Sequence, residues 1–278
     1  MNESLFQQKY CETGRGKICY FTGRNFNSGP TAVFLHGLSS NHTTWLPAAE
    51  ALNKLGLNCL LPDLRGHGHS DKTKKRNLYK FPVFTEDLRQ IIEAEKLSEI
   101  ILIGYSFGGF IALDYAVKYP ESAAGLVLIS ANHVNPLKYK KIGFLTPLGY
   151  AVLNFLAWLL LWQKRKSYYY FNQAAARSYW QSTFTGFTTM PLSVNFWMLS
   201  EIGKIDFSRN ISKINCPTLL VRSQGDPFLS AAEISDMAKG IKAAKTVTLN
   251  EPSHFLASRH QEKILALIIN FLREEKIL

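Results

Sequence analysis

The stretch ILIGYSFGGF, residues 101–110, decides the fold of this 278-residue chain. Its apolar start predicts a buried strand, and the residues that follow Ser106 have the pattern of a helix. Between the two stands a G-x-S-x-G pattern centred on Ser106. This context predicts a sharp strand-to-helix turn, in which the flanking glycines leave room and the serine hydroxyl stands above the carboxyl end of a sheet. The N-terminus of the following helix then offers backbone N–H groups to a developing negative charge.

Short apolar and β-branched runs recur along the chain and alternate with helix-like segments. Several runs are apolar on consecutive residues, as in strands of a parallel sheet that is covered on both faces. The alternation predicts the α/β class, with a doubly wound, mostly parallel sheet. The predicted strands are 31–37, 57–63, 99–106, 124–130, 217–223 and 245–251, with an antiparallel edge hairpin at 4–10 and 17–22. The predicted helices are 45–55, 83–96, 108–118, 231–240 and 260–274.

The alternation stops for about eighty residues after the predicted strand 124–130, where aromatic residues become frequent. We predict a helical cap inserted after strand 6, so that residues 1–132 and 214–278 form the core and residues 133–213 the cap. Within the cap, residues 142–162 carry no charge and are long enough to span a bilayer. A single crossing would, however, place the strands before and after the cap on opposite sides of a membrane, although both belong to one sheet.

The uncharged segment therefore has two interpretations. Pro147, Gly149 and Asn154 interrupt it, which favours two shorter helices with a bend. These helices either form a buried cap on the core, which apolar helices usually do, or a monotopic surface that dips into lipid. In the second case five basic residues would lie at headgroup level: Lys140, Lys141, Lys164, Arg165 and Lys166.

Charge and cysteine content indicate the compartment and the partners. The 32 Lys and Arg outnumber the 21 Asp and Glu, but no nucleic-acid-binding module accompanies the basic clusters, so no nucleic-acid partner is expected. The four cysteines form no Cys-x-x-Cys motif, which favours a reduced compartment. The N-terminal residues lack the pattern of a secretory signal. We expect a cytoplasmic protein, with peripheral membrane contact through the cap as the second expectation.

Five motifs in a fixed order resemble those of the α/β-hydrolase superfamily, of the serine esterase and lipase type. A serine hydroxyl is a weak nucleophile, so it requires a general base and a group that orients the base. The family order of nucleophile, acid and base is met by Ser106, Asp226 and His254. The five motifs are FLHGLSSNHTTW (34–45), LPDLRGHGHSD (61–71), GYSFGG (104–109), LLVRSQGDPF (219–228) and EPSHF (251–255).

Each member of this triad has an alternative. Asp226 also fits the cap of the helix predicted from residue 231, or a turn before Pro227. His260 competes with His254 as the base, but it falls within the last helix pattern. The family usually has glycine before the histidine, whereas this chain has Ser253.

The resemblance also assigns the residues around the triad. It implies an oxyanion hole made by the backbone N–H groups of Leu38 and Phe107. His36 is interpreted as a structural residue of the same loop. The residues expected to border the substrate are His36, Gly37, Tyr105, Trp158 and Trp197. The motif containing Asp63, His67, His69 and Asp71 has poor spacing for a metal and matches a structural turn of the family, so no metal and no cofactor is expected.

These expectations together describe a serine hydrolase for a small acyl ester. A serine nucleophile disfavours epoxide hydrolases and dehalogenases, which use a carboxylate at this position in the resembled superfamily. The apolar cap favours lipid-like substrates, with monoacylglycerol as the first candidate. Two alternatives remain: a meta-cleavage-type hydrolase of C–C bonds, with Arg177 or Arg65 binding a substrate carboxylate, and a non-catalytic homologue that binds a ligand or a membrane.

Overall fold

The computed structural model describes residues 5–23, 26, 29–136, 146–162 and 190–278. Over these residues eight strands form one sheet in the order β1-β2-β4-β3-β5-β6-β7-β8. The first two strands form an antiparallel hairpin, and the remaining strands are parallel to one another. The strands are β1 (Phe6–Glu12), β2 (Lys17–Gly23), β3 (Thr31–Leu35), β4 (Asn58–Pro62), β5 (Ile100–Tyr105), β6 (Ala123–Ile129), β7 (Thr218–Ser223) and β8 (Ala244–Leu249).

Helices cover both faces of this sheet. The predicted strands and helices of the core are all present, and their ends differ from the prediction by at most two residues. The α/β class and the mostly parallel sheet are thereby confirmed. The helices are α1 (Leu46–Lys54), α2 (Phe81–Ala94), α3 (Phe107–Lys118), α4 (Thr146–Leu159), α5 (Leu192–Ile202), α6 (Ala231–Gly240), α7 (Leu256–Arg259) and α8 (Gln261–Glu274).

The core consists of two apolar layers, one on each face of the sheet. In β3, Val33 and Leu35 belong to the layer that also contains residues of α2, α3 and α5. Ala32 and Phe34 belong to the layer that contains residues of α1 and α8. Successive side chains of a strand point to opposite faces, so a strand buried on both faces must be apolar at every position. This is the physical reason for the consecutive apolar runs in the sequence.

The chain reverses its direction of travel across the sheet at β3. From β3 it continues to β4 on one side, and it then crosses to β5 on the other side of β3. Open α/β sheets bind their ligands in the crevice outside the carboxyl ends of the strands at such a point. The residues that follow β3, β5, β7 and β8 all emerge at this edge.

Between β6 and β7 the described residues contain α4, α5 and an isolated bridge between Val134 and Asp206. The described part of the uncharged segment is one helix, which continues through Gly149 and Asn154, so the bend predicted there is wrong. Pro147 is tolerated because it lies in the first turn, where its missing N–H has no intrahelical acceptor. Residues 137–145 and 163–189, including the predicted headgroup lysines and Arg177, lie outside the described residues. The division into core and cap stays a prediction.

The burial of α4 differs from the preferred expectation of a buried cap. Ala157 is fully buried, but Phe155 and Trp158 are 57% and 63% exposed. One side of the helix therefore packs on the protein while the other side is open. Among the described residues, no helix is both long enough and apolar enough to cross a membrane.

Candidate active site

Ser106 occupies the turn between β5 and α3 in a conformation that non-glycine residues rarely adopt. Its φ is 50° and its ψ is −114°. Three backbone hydrogen bonds hold it there: its N–H donates to the Ile129 carbonyl (2.9 Å), and its carbonyl accepts from the N–H groups of Gly109 (2.9 Å) and Phe110 (3.3 Å). Such strained backbone persists only where the surrounding structure determines it, and it is concentrated at functional sites. The predicted sharp turn is present.

Two glycines explain how this turn fits between its neighbours. A Cβ added to Gly104 would lie 2.5 Å from the Gly109 Cα, and one added to Gly108 would clash with the Leu35 carbonyl. The start of α3 thus packs directly on the backbone of β5 and β3. Any side chain at these positions would push the helix away from the sheet and displace the Ser106 hydroxyl.

His254 reaches Ser106 from the loop after β8. Its Nε2 lies 2.9 Å from the Ser106 Oγ, although the two residues are 148 positions apart in the sequence. Its Nδ1 lies 2.8 Å and 3.0 Å from the two carboxylate oxygens of Asp226, which follows β7. A carboxylate only accepts hydrogen bonds, so Nδ1 carries the proton and Nε2 presents its lone pair to the serine hydroxyl. The structure thus brings the three predicted side chains together in the order that base-assisted nucleophilic attack requires.

Asp226 is fixed by its own turn. Its side chain is fully buried, and its Oδ1 also accepts a hydrogen bond from the Phe228 N–H (2.9 Å). The alternative that Asp226 caps α6 is wrong, because Ser230 performs that role in a reciprocal capping box with Glu233. The turn before Pro227 and the contact with His254 coexist, so the turn orients the carboxylate toward the imidazole.

The loop that carries His254 is held by hydrogen bonds of Tyr105 and Ser253. The Tyr105 hydroxyl donates to the His254 carbonyl (3.3 Å), and the Ser253 Oγ accepts from the Phe255 N–H (3.0 Å). Serine therefore serves in this loop where the family usually has glycine. The ring of Phe228 meets the imidazole edge to face, with centroids 5.1 Å apart. His260, the competing base, lies instead 3.4 Å from a carboxylate oxygen of Glu251.

The loop after β3 lies directly beside the nucleophile. A Cβ added to Gly37 would come within 3.6 Å of the Ser106 Cβ and 2.8 Å of the Tyr105 ring. Leu38 follows in this loop, and Phe107 is the first residue of α3, where the backbone N–H has no intrahelical acceptor. Both predicted oxyanion donors thus belong to segments that border Ser106. Their role in stabilising an oxyanion stays a prediction.

Two buried imidazoles support the same loop. His36 is fully buried, its Nε2 accepts from the Leu64 N–H (3.0 Å), and its Nδ1 lies 2.8 Å from the Gly37 carbonyl. Burial lowers the pKa of His36 to about 4. Similarly, the Nε2 of buried His67 accepts from the Ser39 N–H (3.1 Å), and burial holds the pKa of His67 well below its ordinary value. Both rings are therefore neutral acceptors at neutral pH, and His36 has a structural role rather than the predicted contact with substrate.

Asp63 is the centre of a second buried network below this loop. Its Oδ1 accepts from the N–H and the Nδ1 of His42, each at 2.8 Å, and its Oδ2 accepts from the His69 N–H at 2.8 Å. Burial alone would raise the pKa of Asp63, but His42 and these hydrogen bonds hold it well below its usual range. Among the described residues, no group of three or more His, Cys, Asp or Glu is arranged to hold a metal. The motif instead anchors backbone, which agrees with its interpretation as a structural turn.

The loop after β3 also contacts the segment between β6 and β7. The Ser39 Oγ donates a hydrogen bond to the side-chain oxygen of Asn195, a fully buried residue of α5. No motif in the sequence pointed to Asn195, because a single asparagine in an apolar helix has no distinctive pattern. This contact joins α5 to the residue next to Leu38.

The remaining predicted substrate contacts lie at different places. Tyr105 is buried beneath the site and positions the His254 loop. Trp158 lies on the exposed side of α4, stacked on Phe155 with centroids 6.0 Å apart. Trp197 is buried against Tyr79 and lines a cavity that includes no member of the triad. The contact of Trp158 and Trp197 with substrate stays a prediction.

The chain matches the model of a known protein family along most of its length. The family model of the alpha/beta hydrolase fold matches residues 30–261, which is most of the chain. The chain therefore belongs to the alpha/beta hydrolase family.

The relatives described next share about a third of their residues or fewer with this chain over the matched region. An uncharacterized protein of Mycobacterium tuberculosis is 31% identical over 107 residues, a match that covers 38% of this chain and 30% of that protein. The match thus spans less than a third of that relative's length. Epoxide hydrolase 4 of Homo sapiens is 27% identical over 281 residues, covering 88% of this chain and 73% of that protein.

Solved structures share the fold along nearly the whole chain. A putative lipase from Acinetobacter baumannii AYE superposes with a TM-score of 0.76 at 21% identity, covering 98% of this chain and 93% of that chain. At this identity the similarity concerns the fold.

Proposed function

We propose that this protein is a serine carboxylic ester hydrolase that acts through an acyl-enzyme intermediate. The single observation that carries the proposal is the hydrogen-bonded series Ser106 Oγ, His254 Nε2, His254 Nδ1 and Asp226, with distances of 2.9 and 2.8 Å. Family membership supports hydrolytic chemistry in general. The series adds a nucleophile, a base with a free lone pair and a buried carboxylate that orients the base.

The proposed reaction has two halves. In the first, His254 Nε2 takes the Ser106 proton while Oγ attacks the ester carbonyl carbon, and the carbonyl electron pair moves onto oxygen. The N–H groups of Leu38 and Phe107 would bind this oxyanion. Its collapse breaks the bond to the alcohol, which leaves with the proton from His254. In the second half, water gives a proton to His254 and attacks the acyl carbon. The bond between the acyl carbon and Oγ then breaks, His254 returns its proton to Oγ, and the carboxylic acid leaves.

The relative named epoxide hydrolase 4 suggests a different substrate, which the nucleophile argues against. If a serine oxygen opened an epoxide, the product would be an alkyl ether of Ser106. An ether has no carbonyl for water to attack, so the enzyme would stop after one turnover. An ester, in contrast, leaves an acyl group that a second attack at the carbonyl releases.

For the substrate class we propose lipid-like esters, with monoacylglycerol as the first candidate. The residues beside the triad are apolar: Leu38 and Phe107 in the oxyanion segments, and Phe228 and Phe255 around the imidazole. Each CH₂ of an acyl chain that leaves water contributes about 0.8 kcal/mol. The C–C hydrolase alternative is weakened, because Arg65 is buried and bonded to both carboxylate oxygens of Asp87 (2.8 and 2.7 Å) and is not available for a substrate carboxylate.

The test is labelling and turnover. A fluorophosphonate probe, which reacts with activated serines, should label the wild-type protein but not Ser106→Ala. Ser235→Ala, a change on the exposed side of α6, should label like the wild type. On a series of p-nitrophenyl esters, kcat/KM should rise from acetyl to longer acyl chains. Labelling that survives in Ser106→Ala would overturn the nucleophile, and labelling without chain-length preference would leave an esterase but overturn the lipid class.

A further inference from the structure

The outer side of α4 and the turn that follows it form an apolar stripe. Residues 148, 152, 155, 159 and 162 recur at intervals of four and three positions, so they lie along one side of a helix, with Trp158 next to them. All six side chains are exposed. The α4 ridge consists of Leu148 (61% exposed), Val152 (48%), Phe155 (57%), Trp158 (63%), Leu159 (43%) and Trp162 (77%).

The side chains of Tyr150 and Asn154 in α4 point the other way, into the protein. The Tyr150 hydroxyl donates to the Gly203 carbonyl (2.8 Å) and accepts from the Asn135 amide (2.7 Å). The Asn154 amide donates to the Tyr150 carbonyl (2.7 Å) and to the Ser200 Oγ (3.2 Å). A helix at a water surface has the opposite arrangement, with its apolar side inward and its polar side outward. The arrangement of α4 is that of a helix whose outer surroundings are apolar.

We propose that the α4 ridge docks on the surface of a lipid bilayer that contains anionic headgroups. The helix has 14 residues, and no helix among the described residues can cross a membrane, so α4 would lie along the interface rather than span it. Tryptophans such as Trp158 and Trp162 favour the boundary between acyl chains and headgroups. Apolar patches of this kind on a protein surface generally mark an interaction site.

Charge selects lipid rather than another occupant. Residues 146–162 carry no charge, but the sequence on either side of them is basic. An uncharged apolar segment that is preceded and followed by cations in the sequence is typical of binding to anionic bilayers, whereas a second copy of this chain, with a net charge of +11, would be repelled. The flanking cations in the sequence are Lys138, Lys140 and Lys141 before the helix and Lys164, Arg165 and Lys166 after it.

The test is flotation with vesicles. The wild-type chain should float with vesicles that contain about 30 mol % phosphatidylserine and much less with pure phosphatidylcholine, and added salt should weaken the binding. The double variant Phe155→Ser/Trp162→Ser should lower the partition coefficient about tenfold or more, because two large apolar side chains no longer enter the lipid. The matched control is Leu55→Ser, an exposed leucine at the end of α1 that should leave flotation unchanged.

Each outcome separates this proposal from the enzymatic one. The double variant should keep wild-type fluorophosphonate labelling and wild-type turnover of a short soluble ester, because it changes only exposed side chains of the α4 ridge. No flotation of the wild type, or equal flotation of wild type and double variant, would overturn the docking surface. Equal flotation with neutral and anionic vesicles would overturn the charge selection. A wild-type dimer that the double variant converts to a monomer would assign the ridge to a second copy instead.

Discussion

Two aspartate–histidine pairs in this molecule have the same short contact in different surroundings. In both Asp226–His254 and Asp63–His42, a carboxylate oxygen lies 2.8 Å from the histidine Nδ1. The first pair stands at the carboxyl edge of the sheet, where His254 Nε2 reaches the Ser106 hydroxyl. The second pair is completely buried, with the His42 ring stacked on Phe21 at 3.8 Å. An aspartate–histidine pair by itself is therefore no sign of catalysis. Whether such a pair can take part in a reaction depends on its position relative to a nucleophile and to solvent.

The largest expected effect separates the two pairs by activity. Asp226→Asn would remove the acceptor that keeps the proton on Nδ1, so the imidazole could present the wrong tautomer to Ser106. We expect kcat for a p-nitrophenyl ester to fall about 10⁴-fold with the fold intact. Steady-state kinetics with a thermal melt as the control would measure this. A loss below about tenfold would show that Asp226 is no more important to the reaction than Asp63.

The second prediction uses stability. Asp63→Ala leaves the His42 ring, the His42 N–H and the His69 N–H without their buried acceptor. We expect the free energy of unfolding to fall by about 3–5 kcal/mol, as measured by urea denaturation. Asp63→Asn should lose less, because its amide oxygen still accepts. If Asp63→Ala instead unfolds like the wild type, the buried pair has no structural role.

The third prediction concerns pH. Burial lowers the pKa of folded His36 from 6.5 to about 4, so between these values the unfolded chain binds more protons than the folded one. The full contribution of His36 to the free energy of unfolding is therefore present above pH 6.5. This contribution is lost as the pH falls toward 4, by up to about 3 kcal/mol from His36 alone. His67 contributes in the same direction, while the lowered pKa of Asp63 acts at more acidic pH. Urea midpoints at several pH values would measure the slope, and a flat profile would contradict it.

The smallest of these effects concerns the loop beside the nucleophile. His67→Ala removes the acceptor of the Ser39 N–H, next to the proposed oxyanion donor Leu38. We expect kcat to fall about tenfold to a hundredfold while KM changes little, because the loop positions a donor and does not hold the ground-state substrate. His67→Gln, which offers an amide oxygen, should recover part of the loss. A fall in stability with unchanged kcat would restrict His67 to a structural role.

Most of the fold was predictable because local patterns carry it. The strands of the core are apolar at consecutive positions, and the G-x-S-x-G turn is specified by glycines whose Cβ atoms would collide with the sheet. The triad could be predicted because Asp226 and His254 each follow a strand in the expected order. The predicted contact of His36 with substrate is wrong for a reason that the sequence does not reveal. A histidine beside a glycine looks the same whether its nitrogens face a cavity or, as here, the backbone at Leu64 and Gly37.

The amino-acid sequence alone determined the strands, the helices, the strained serine turn and the order of the three site residues, since periodicity and glycine positions act over a few neighbouring residues. Only the tertiary structure decided that Asp63 pairs with His42 inside the scaffold and that the Asp226–His254 pair reaches Ser106. It also decided that α4 turns Tyr150 and Asn154 inward and exposes the α4 ridge. Hydrogen bonds such as those between Asn154 and Ser200 and between His42 and Asp63 join residues far apart in the chain, so their partners are set only when the elements pack.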